Sequence, residues 1–361
     1  MKKNISMRQT GILILFGTFT TKLLLLPALM FEDVKADAIF SVLLLFALEL
    51  LSLPILFKLK RKYPNFSLHD ILKKYLTTFI AKIIILILMF FVLIKSILTF
   101  SIVYVYFKQQ IYQDEFVWIA LVACIAVITH AVLGGLRPMS RTMELFFGVV
   151  VAGFIFCLLI SLFTPISTPT FFVAPAKDIF LALYKYAFTF GDFAFLFLII
   201  DKIDYKKNEE KKVYFYAIFA MLLVVALFFL FYSKYQVTAF MHNNALADLL
   251  VFSVQFNAVG RLDIVAMLTI MMITLFEIEI MCYLFCDGFT SVFPLLNKKY
   301  AIVVFDVLFL LLYYVFIGKY EIMVRSTVVW LPIIGVIVGY VLPLVCFIIS
   351  LIKRRDHEKT D

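Results

Sequence analysis

The sequence predicts an all-α polytopic membrane protein with about ten transmembrane helices. Hydrophobic residues make up 64% of the 361 positions and only 16% are charged, whereas about 25% of residues are charged in a typical soluble domain. So few polar residues could not cover the surface of a soluble protein, and a soluble multidomain enzyme is therefore excluded. The apolar runs lack strict alternation of polar and apolar residues, which argues against a membrane barrel.

Ten apolar runs are candidates for membrane-spanning helices. A helix needs roughly 20 apolar residues to cross a bilayer, and runs near that length fill most of the sequence. In chain order they cover residues 9–30, 38–57, 78–107, 116–133, 143–164, 179–200, 213–233, 260–285, 301–317 and 327–351. Because no long polar stretch separates them, residues 1–361 are predicted to form a single transmembrane domain.

Lysine and arginine are distributed unevenly between the two sides of these predicted spans. The N-terminus, the even-numbered loops and the C-terminal tail hold 22 of the 33 basic residues, and the odd-numbered loops hold 6. Since basic residues collect in cytoplasmic loops, a multi-pass protein with both termini in the cytoplasm is predicted. The same bias accounts for most of the net charge of +9, so no nucleic-acid partner is expected.

The lengths of the loops indicate two related halves. In the first five spans the longest connection covers residues 58–77, and in the last five it covers residues 234–259. These connections occupy corresponding positions on opposite sides of the membrane. The pattern predicts a five-plus-five inverted repeat, approximately residues 9–164 and 179–351, an arrangement used by many secondary transporters.

The first span of each half, helix one and helix six, is interrupted by residues that favour unwinding. Glycine lowers the cost of a break, and threonine hydroxyls can satisfy the freed backbone groups. Paired breaks at matching places indicate a ligand site near the middle of the membrane, although glycine and threonine also serve in ordinary helix packing. The candidate substrate-binding residues are Gly17, Thr18, Thr20, Thr21 and Lys22 in helix one, and Thr189, Phe190, Gly191 and Asp192 in helix six.

Each break carries one charged residue, Lys22 or Asp192. A charge at a helix centre costs about 2.5–3.5 kcal/mol on insertion scales, so the two residues are expected to face one another across the breaks. Lys22 is a candidate to bind a ligand carboxylate or to replace a coupling cation, and Asp192 to bind an amino group. A structural ion pair without a ligand is the alternative.

A second set of intramembrane charges comprises Glu49, Lys95, Glu277, Glu279 and Asp306. Glu279 is two residues from Glu277, so the two cannot share a helix face, and Glu277 is favoured to face the bundle interior. Lys95 is expected to pair with Glu277 or Glu49. A proton-coupling role and a purely structural role are both open for this set.

Motifs for catalysis and for metal binding are absent from the sequence. The four histidines are scattered, the five cysteines lie inside apolar runs, and no nucleophile–base pattern occurs. We therefore expect no enzyme activity, no cofactor and no metal.

Five segments of the chain carry short motifs that occur together, in this order, in one known family. The first reads ISMRQTGILILFGTFTTKLLLLPALM, an Ile-Ser-x-x-Gln element followed by a Gly/Thr break and Leu-x-Leu-Pro. The others are KYPNFSLHDILKKY, RPMSRTMELFF with Arg141 and Glu144, FTFGDFAFL with Asp192, and GRLDIV with Arg261 and Asp263. In these segments the chain resembles the B subunits of spore nutrient germination receptors, the GerAB type, within the amino acid–polyamine–organocation superfamily.

The resemblance implies both a fold and a function. Family members share the five-plus-five inverted repeat, with the ligand between the breaks of helices one and six. They are thought to sense or pass small nutrients, often amino acids, in the spore inner membrane. The implied partners are a small-molecule nutrient, membrane lipid, an A-type membrane subunit and a C-type lipoprotein.

Three classes of function are compatible with these observations. The resemblance favours a germinant-sensing receptor subunit. A proton-coupled secondary amino-acid permease would have the same fold, so the fold alone cannot distinguish the two. A purely structural membrane protein would leave the paired breaks and the central charges without a reason.

Overall fold

The computed structural model describes residues 4–111, 114–163, 166–251, 263–317 and 329–351, and most of these residues are helical. The predicted all-α polytopic membrane fold is confirmed. The helices are α1 (Met7–Gly17), α2 (Thr20–Leu23), α3 (Leu26–Val34), α4 (Ala38–Leu50), α5 (Ser52–Lys62), α6 (Leu68–Tyr75), α7 (Thr78–Ile111), α8 (Asp114–Gly134), α9 (Leu136–Ser161), α10 (Ala176–Lys185), α11 (Glu210–Tyr235), α12 (Ala245–Val251), α13 (Asp263–Val292), α14 (Lys298–Ile317), α15 (Leu331–Val336) and α16 (Leu342–Leu351).

Six helical segments in the described part of the chain are long and apolar enough to cross a membrane. They are Leu26–Lys62, Thr78–Lys108, Leu136–Ser161, Lys207–Met241, Ile264–Val292 and Leu331–Leu351. Of the other predicted spans, helices one and six are interrupted, the fourth corresponds to α8 and the ninth to α14. Arg261 and the basic tail after Leu351 lie outside the described residues.

Helix one is interrupted where the sequence predicts. α1 begins with a capping box, in which the Ser6 hydroxyl accepts the Gln9 N–H (3.3 Å) and Gln9 Oε1 accepts the Ser6 N–H (3.0 Å). α1 ends at Gly17, and α2 is a short piece of four residues. α3 then begins beside Pro27, which lacks an N–H and therefore fits a first helical turn. The predicted break in helix one is confirmed.

Helix six is interrupted at Gly191. α10 ends at Lys185, and helical structure resumes as a 3₁₀ segment, Asp192–Phe197. Gly191 has φ +95°, a left-handed conformation that residues with a Cβ rarely adopt. A Cβ at Gly191 would lie 3.1 Å from the Cα of Gly339 in the tenth predicted span, called helix ten below. Helix ten therefore packs directly against this break. The predicted break in helix six is confirmed.

Both breaks lie inside the helical bundle. α1 packs against α9, α11 and α13, and α13 packs along α7. The 3₁₀ segment after Gly191 packs against α4, α5 and a π-helical turn, Ile337–Val341, which joins α15 to α16 within helix ten. Residues 186–200 are all buried. Irregular backbone at membrane depth is tolerated where protein encloses it, and this arrangement meets that condition.

Helices one and six are joined to one another on both sides of the breaks. A short strand β1 (Ile5–Ser6) pairs in parallel with β2 (Ile203–Asp204), which follows the second part of helix six. On the other side, Lys185 of α10 contacts the Asp33 carboxylate of α3 at 2.5–2.6 Å. The Tyr186 hydroxyl donates to the same carboxylate at 2.6 Å. These contacts fix the position of one break relative to the other.

Candidate functional site

A buried ion cluster joins the two breaks. Lys22 of α2 and Lys95 of α7 both bond to Asp192, one ammonium group to each carboxylate oxygen. The three side chains are at most 1% exposed. The expected contact between Lys22 and Asp192 is therefore confirmed. Because removal of one member would leave a buried charge unpaired, the cluster holds helices one, three and six together.

Lys95 has a different direct partner from the one that the sequence suggests. The sequence-based expectation is a pair with Glu277 or Glu49, but the Lys95 ammonium group bonds to Asp192 and approaches the Thr189 carbonyl oxygen at 3.5 Å. The two glutamates instead accept hydrogen bonds from backbone N–H groups at the breaks. A backbone N–H group that a helix break leaves without its usual partner needs an acceptor as much as an ammonium group does. A comparison of the charged side chains alone does not reveal this need.

Glu277 of α13 stabilises the break in helix one. Its Oε2 accepts the backbone N–H of Thr20, the first residue of α2, at 3.0 Å. Its Oε1 accepts the Thr99 hydroxyl of α7 at 3.1 Å. The Thr20 and Thr274 hydroxyl oxygens lie 3.4 Å apart. The first N–H groups of a helix have no partner within it, so Glu277 supplies an acceptor that α2 lacks.

Glu49 of α4 serves the break in helix six. Its Oε1 accepts the N–H groups of both Gly191 and Asp192, the second at 2.7 Å. Its Oε2 is buried and has no hydrogen-bond partner among the residues that the structure describes. Each break therefore has one glutamate from another helix, but only the glutamate at helix one uses both carboxylate oxygens.

The remaining predicted residues line the breaks. The Thr18 hydroxyl donates to the Leu15 carbonyl oxygen at 3.1 Å, and the Thr189 hydroxyl donates to the Tyr186 carbonyl oxygen at 2.8 Å. Each of these carbonyl oxygens lies at a helix end and also accepts the backbone N–H of the same threonine, at 3.5 Å for Thr18 and 3.1 Å for Thr189. Thr21 is also buried.

An aromatic ring next to the ion cluster contacts one of its cations. The Lys22 ammonium nitrogen lies 4.5 Å from the centroid of the Phe190 ring and 5.2 Å from that of Phe46. A cation over a ring face is attracted by the ring electrons, more strongly where water is excluded. Phe190 thus contributes to holding Lys22 through its ring, a role that its place in helix six alone did not indicate.

A small cavity lies beside the cluster. Its volume is about 20 Å³, which is room for roughly one water molecule and too little for an amino acid. Except for Asp192 and Tyr283 its wall is apolar. The lining residues are Leu13, Ile14, Gly17, Leu136, Asp192, Phe195, Leu196, Ile199, Ile280, Tyr283 and Leu284. The breaks are therefore closed around their own side chains.

Sequence reasoning missed Thr99 and Gly339 as parts of the site. Thr99 follows Lys95 by one helical turn, so the i, i+4 spacing could have placed both residues on one face of α7. Gly339 belongs to a helix far along the chain from the break that it contacts. No local pattern connects it to Gly191.

Comparison with known proteins gives one family match. The family model described as spore germination protein matches residues 4–321 of this chain. The matched region includes both breaks, the ion cluster and the two glutamates. No curated protein matches the chain.

Proposed function

The chain belongs to the spore germination protein family, GerAB type, and on this premise we propose that it is the nutrient-sensing subunit of a spore germination receptor. It is a multi-pass, transporter-like membrane protein related to germination. In this proposal a small-molecule nutrient, such as an amino acid, binds between the breaks of helices one and six.

The meeting of two unwound segments at one buried ion cluster is the observation that carries the proposal. Ionisable residues inside a membrane bundle are expensive, and by default they indicate a functional site. A zwitterionic ligand would place its carboxylate against Lys22 and its amino group against Asp192. The ligand would thus exchange with the internal ion pair and leave neither charge unpaired.

The closed breaks couple ligand binding to a change of conformation. Because the cavity beside Asp192 is far smaller than an amino acid, helices one and six must move apart before a nutrient fits. A ligand shifts a conformational equilibrium by its difference in affinity for the two states. In a receptor, the ligand-binding subunit transmits this change of conformation to its partner subunits.

The direct test is ligand-induced stabilisation of the purified full chain. The standard amino acids are added singly, and we expect one or a few to raise the thermal unfolding temperature. Lys22→Ala and Asp192→Ala should abolish the rise, whereas the matched control Lys82→Ala, near a helix end, should preserve it. An unchanged response in both site variants would show that the proposed site is wrong.

A proton-coupled secondary amino-acid permease is the second candidate. The buried carboxyl groups of Glu49 and Glu277 beside the ion cluster favour it, because such groups often form proton relays in transporters. Uptake of labelled amino acids into proteoliposomes under a pH gradient separates the candidates. Concentrative uptake supports the permease, and ligand binding without uptake supports the receptor.

The proposal includes partners, location and internal symmetry. The partners are an A-type membrane subunit and a C-type lipoprotein, and the location is the spore inner membrane with both termini in the cytoplasm. The excess of basic residues in one set of loops supports this orientation, and the matching breaks support inverted repeats at about residues 9–164 and 179–351. Copurification from spore membranes tests the partners, and adjacent genes for both subunits would favour the receptor over the permease.

A further inference from the structure

The cluster between the breaks contains unequal numbers of acidic and basic groups. Two ammonium groups, those of Lys22 and Lys95, lie among the three carboxyl groups of Asp192, Glu49 and Glu277, and all five side chains are buried. With all five ionised, the cluster would carry one negative charge in excess. An unbalanced charge away from water is strongly disfavoured, so we expect one of these carboxyl groups to be neutral.

Hydrogen bonds favour the ionised form of two of the three carboxyl groups. Both oxygens of Asp192 contact an ammonium group. Both oxygens of Glu277 accept a hydrogen bond, one from the Thr20 N–H and one from the Thr99 hydroxyl. A carboxyl group whose two oxygens both face donors is stabilised as the anion.

Glu49 has the geometry of a neutral carboxylic acid. Its Oε1 accepts two backbone N–H groups, as the carbonyl oxygen of an acid can. Its Oε2 is buried and accepts no hydrogen bond from the described part of the chain. As part of an anion this oxygen would be a desolvated charge without a partner, whereas as a hydroxyl it carries the proton that balances the cluster.

A second unpartnered polar atom belongs to the same region. Among the described residues the Tyr340 hydroxyl is buried without a hydrogen-bond partner, and its π-helical turn packs against α4, the helix that carries Glu49. Tyr340 belongs to the π-helical turn Ile337–Val341, which contacts Gly191 through Gly339. π-helical turns inside α-helices are frequent at functional sites. The charged groups of the cluster that face Glu49 from other elements include Lys22 of α2, Lys95 of α7 and Asp192, whose N–H bonds to Glu49.

We propose that Glu49 and Tyr340 form a proton-binding site at the break of helix six, with the proton on Glu49 Oε2 while the breaks are closed. When helices one and six separate, water reaches Glu49, the Oε2–H bond breaks and the proton passes to that water. Glu49 then becomes the third carboxylate of an opened, hydrated site. The proposal goes beyond nutrient sensing, because it needs no nutrient to bind.

Infrared difference spectroscopy of the full chain in liposomes tests the proposal. We expect the wild-type spectrum minus the Glu49→Gln spectrum to contain the carbonyl stretch of a protonated carboxylic acid, which shifts in heavy water. Tyr340→Phe should change the frequency of this band without removing it, because the phenol lies near the acid. Tyr340→Phe also preserves the carboxyl group in case Glu49→Gln does not fold.

Glu277→Gln is the matched control. Both glutamates are 1% exposed, but Glu277 uses both oxygens as acceptors. Glu277→Gln leaves two carboxyl groups to balance the two ammonium groups, so Glu49 should ionise in this variant and the acid band of the wild-type spectrum should be lost. Carboxylate stretches without an acid band in the wild-type spectrum minus the Glu49→Gln spectrum would overturn the proposal.

A sodium ion is the competing occupant, and thermal unfolding in sodium chloride and in choline chloride distinguishes it from a proton. Equal unfolding temperatures in the two salts are the expected result. A higher unfolding temperature in sodium chloride that disappears in Glu49→Gln would overturn the proton assignment. Neither outcome depends on nutrient binding, so the proton site and the nutrient site can fail separately.

Discussion

The break in helix one and the break in helix six are each stabilised by a glutamate from another helix, but the two glutamates use different numbers of their carboxylate oxygens. At each break a glutamate from another helix accepts freed N–H groups. Glu277 at helix one uses both oxygens, while Glu49 at helix six uses one. A Cβ at Gly17 would make an ordinary contact with a side-chain carbon at 3.9 Å, whereas Gly191 is left-handed and packed against another backbone. In the described residues, both carboxylate oxygens accept hydrogen bonds at the break in helix one, whereas one oxygen accepts none at the break in helix six. We call the first break saturated and the second unsaturated.

This difference indicates which break responds to its surroundings. A fully bonded carboxylate gains nothing from a new partner, so the break in helix one is suited to a fixed geometry. An unpartnered oxygen gains from a proton, and the break in helix six is therefore suited to change. Substitutions at equivalent positions of the two breaks test this difference.

The largest effect is expected from Asp192→Asn, which removes the anion shared by both lysines. Two buried ammonium groups would lose their counterion, and breaking a buried pair in this way costs about 3–5 kcal/mol of the free energy of unfolding. Thermal and denaturant unfolding of the purified chain measure the loss. Lys95→Met in the same chain should restore part of the stability, because it removes one unpaired charge. No rescue would mean that the lysines are paired elsewhere.

Gly191→Ala should destabilise the chain by about 1–3 kcal/mol, the usual cost of a left-handed residue with a Cβ. The added carbon also meets the Gly339 backbone. Gly17→Ala is the matched variant, and it should be close to neutral, because its nearest contact would be a side-chain carbon 3.9 Å away. Equal unfolding temperatures for the two variants would remove this distinction between the breaks.

Glu277→Gln should cost about 1.5–3 kcal/mol, the range for a hydrogen bond to a charged group. The amide oxygen can still accept the Thr20 N–H and the NH₂ can donate to the Thr99 hydroxyl, so the loss arises because a charged acceptor is replaced by a neutral one. Glu49→Gln should cost less than about 1 kcal/mol, because the amide oxygen can accept both N–H groups and the NH₂ replaces an oxygen that bonds nothing. Denaturant unfolding measures both losses. A larger loss for Glu49→Gln than for Glu277→Gln would contradict the assignment of helix one as the saturated break and helix six as the unsaturated break.

The smallest effects are expected where the two breaks agree. Thr18→Val and Thr189→Val each remove a hydroxyl that donates to a carbonyl oxygen three residues earlier. Each should cost about 0.5–1.5 kcal/mol, the net value of one such bond, and the two losses should be similar. Parallel thermal unfolding measures them. A loss confined to Thr189→Val would show that the breaks differ even in their hydroxyl caps.

Local patterns in the sequence were sufficient to predict the breaks and one ion pair. Gly17 and Gly191 interrupt long apolar runs, and a single charge beside each break required a partner in the membrane interior. The contact between Lys22 and Asp192 follows from these two facts together. The family assignment likewise rested on short motifs spread along the chain, and the match to residues 4–321 confirms it.

Contacts that depend on how helices rotate and shift against each other could not be predicted. Lys95 reaches Asp192, and not Glu49 or Glu277, because of the position of α7 relative to helix six. The approach of Gly339 to Gly191 depends on a π-helical turn, for which the apolar residues of helix ten give no signal. The unused Oε2 of Glu49 appears only once every donor around it has been assigned.

The ion pair between Lys22 and Asp192 has a consequence for how the chain is made. The two residues are separated by 170 positions, so Lys22 leaves the ribosome long before its counterion has been synthesised. Until then an unpaired lysine at the centre of helix one costs about 2.5–3.5 kcal/mol in the bilayer. Stable placement of the first helix is therefore expected to be a late event, completed after insertion of the sixth. Asp192 can therefore neutralise the charge of Lys22 in the first span only after the sixth span has been synthesised.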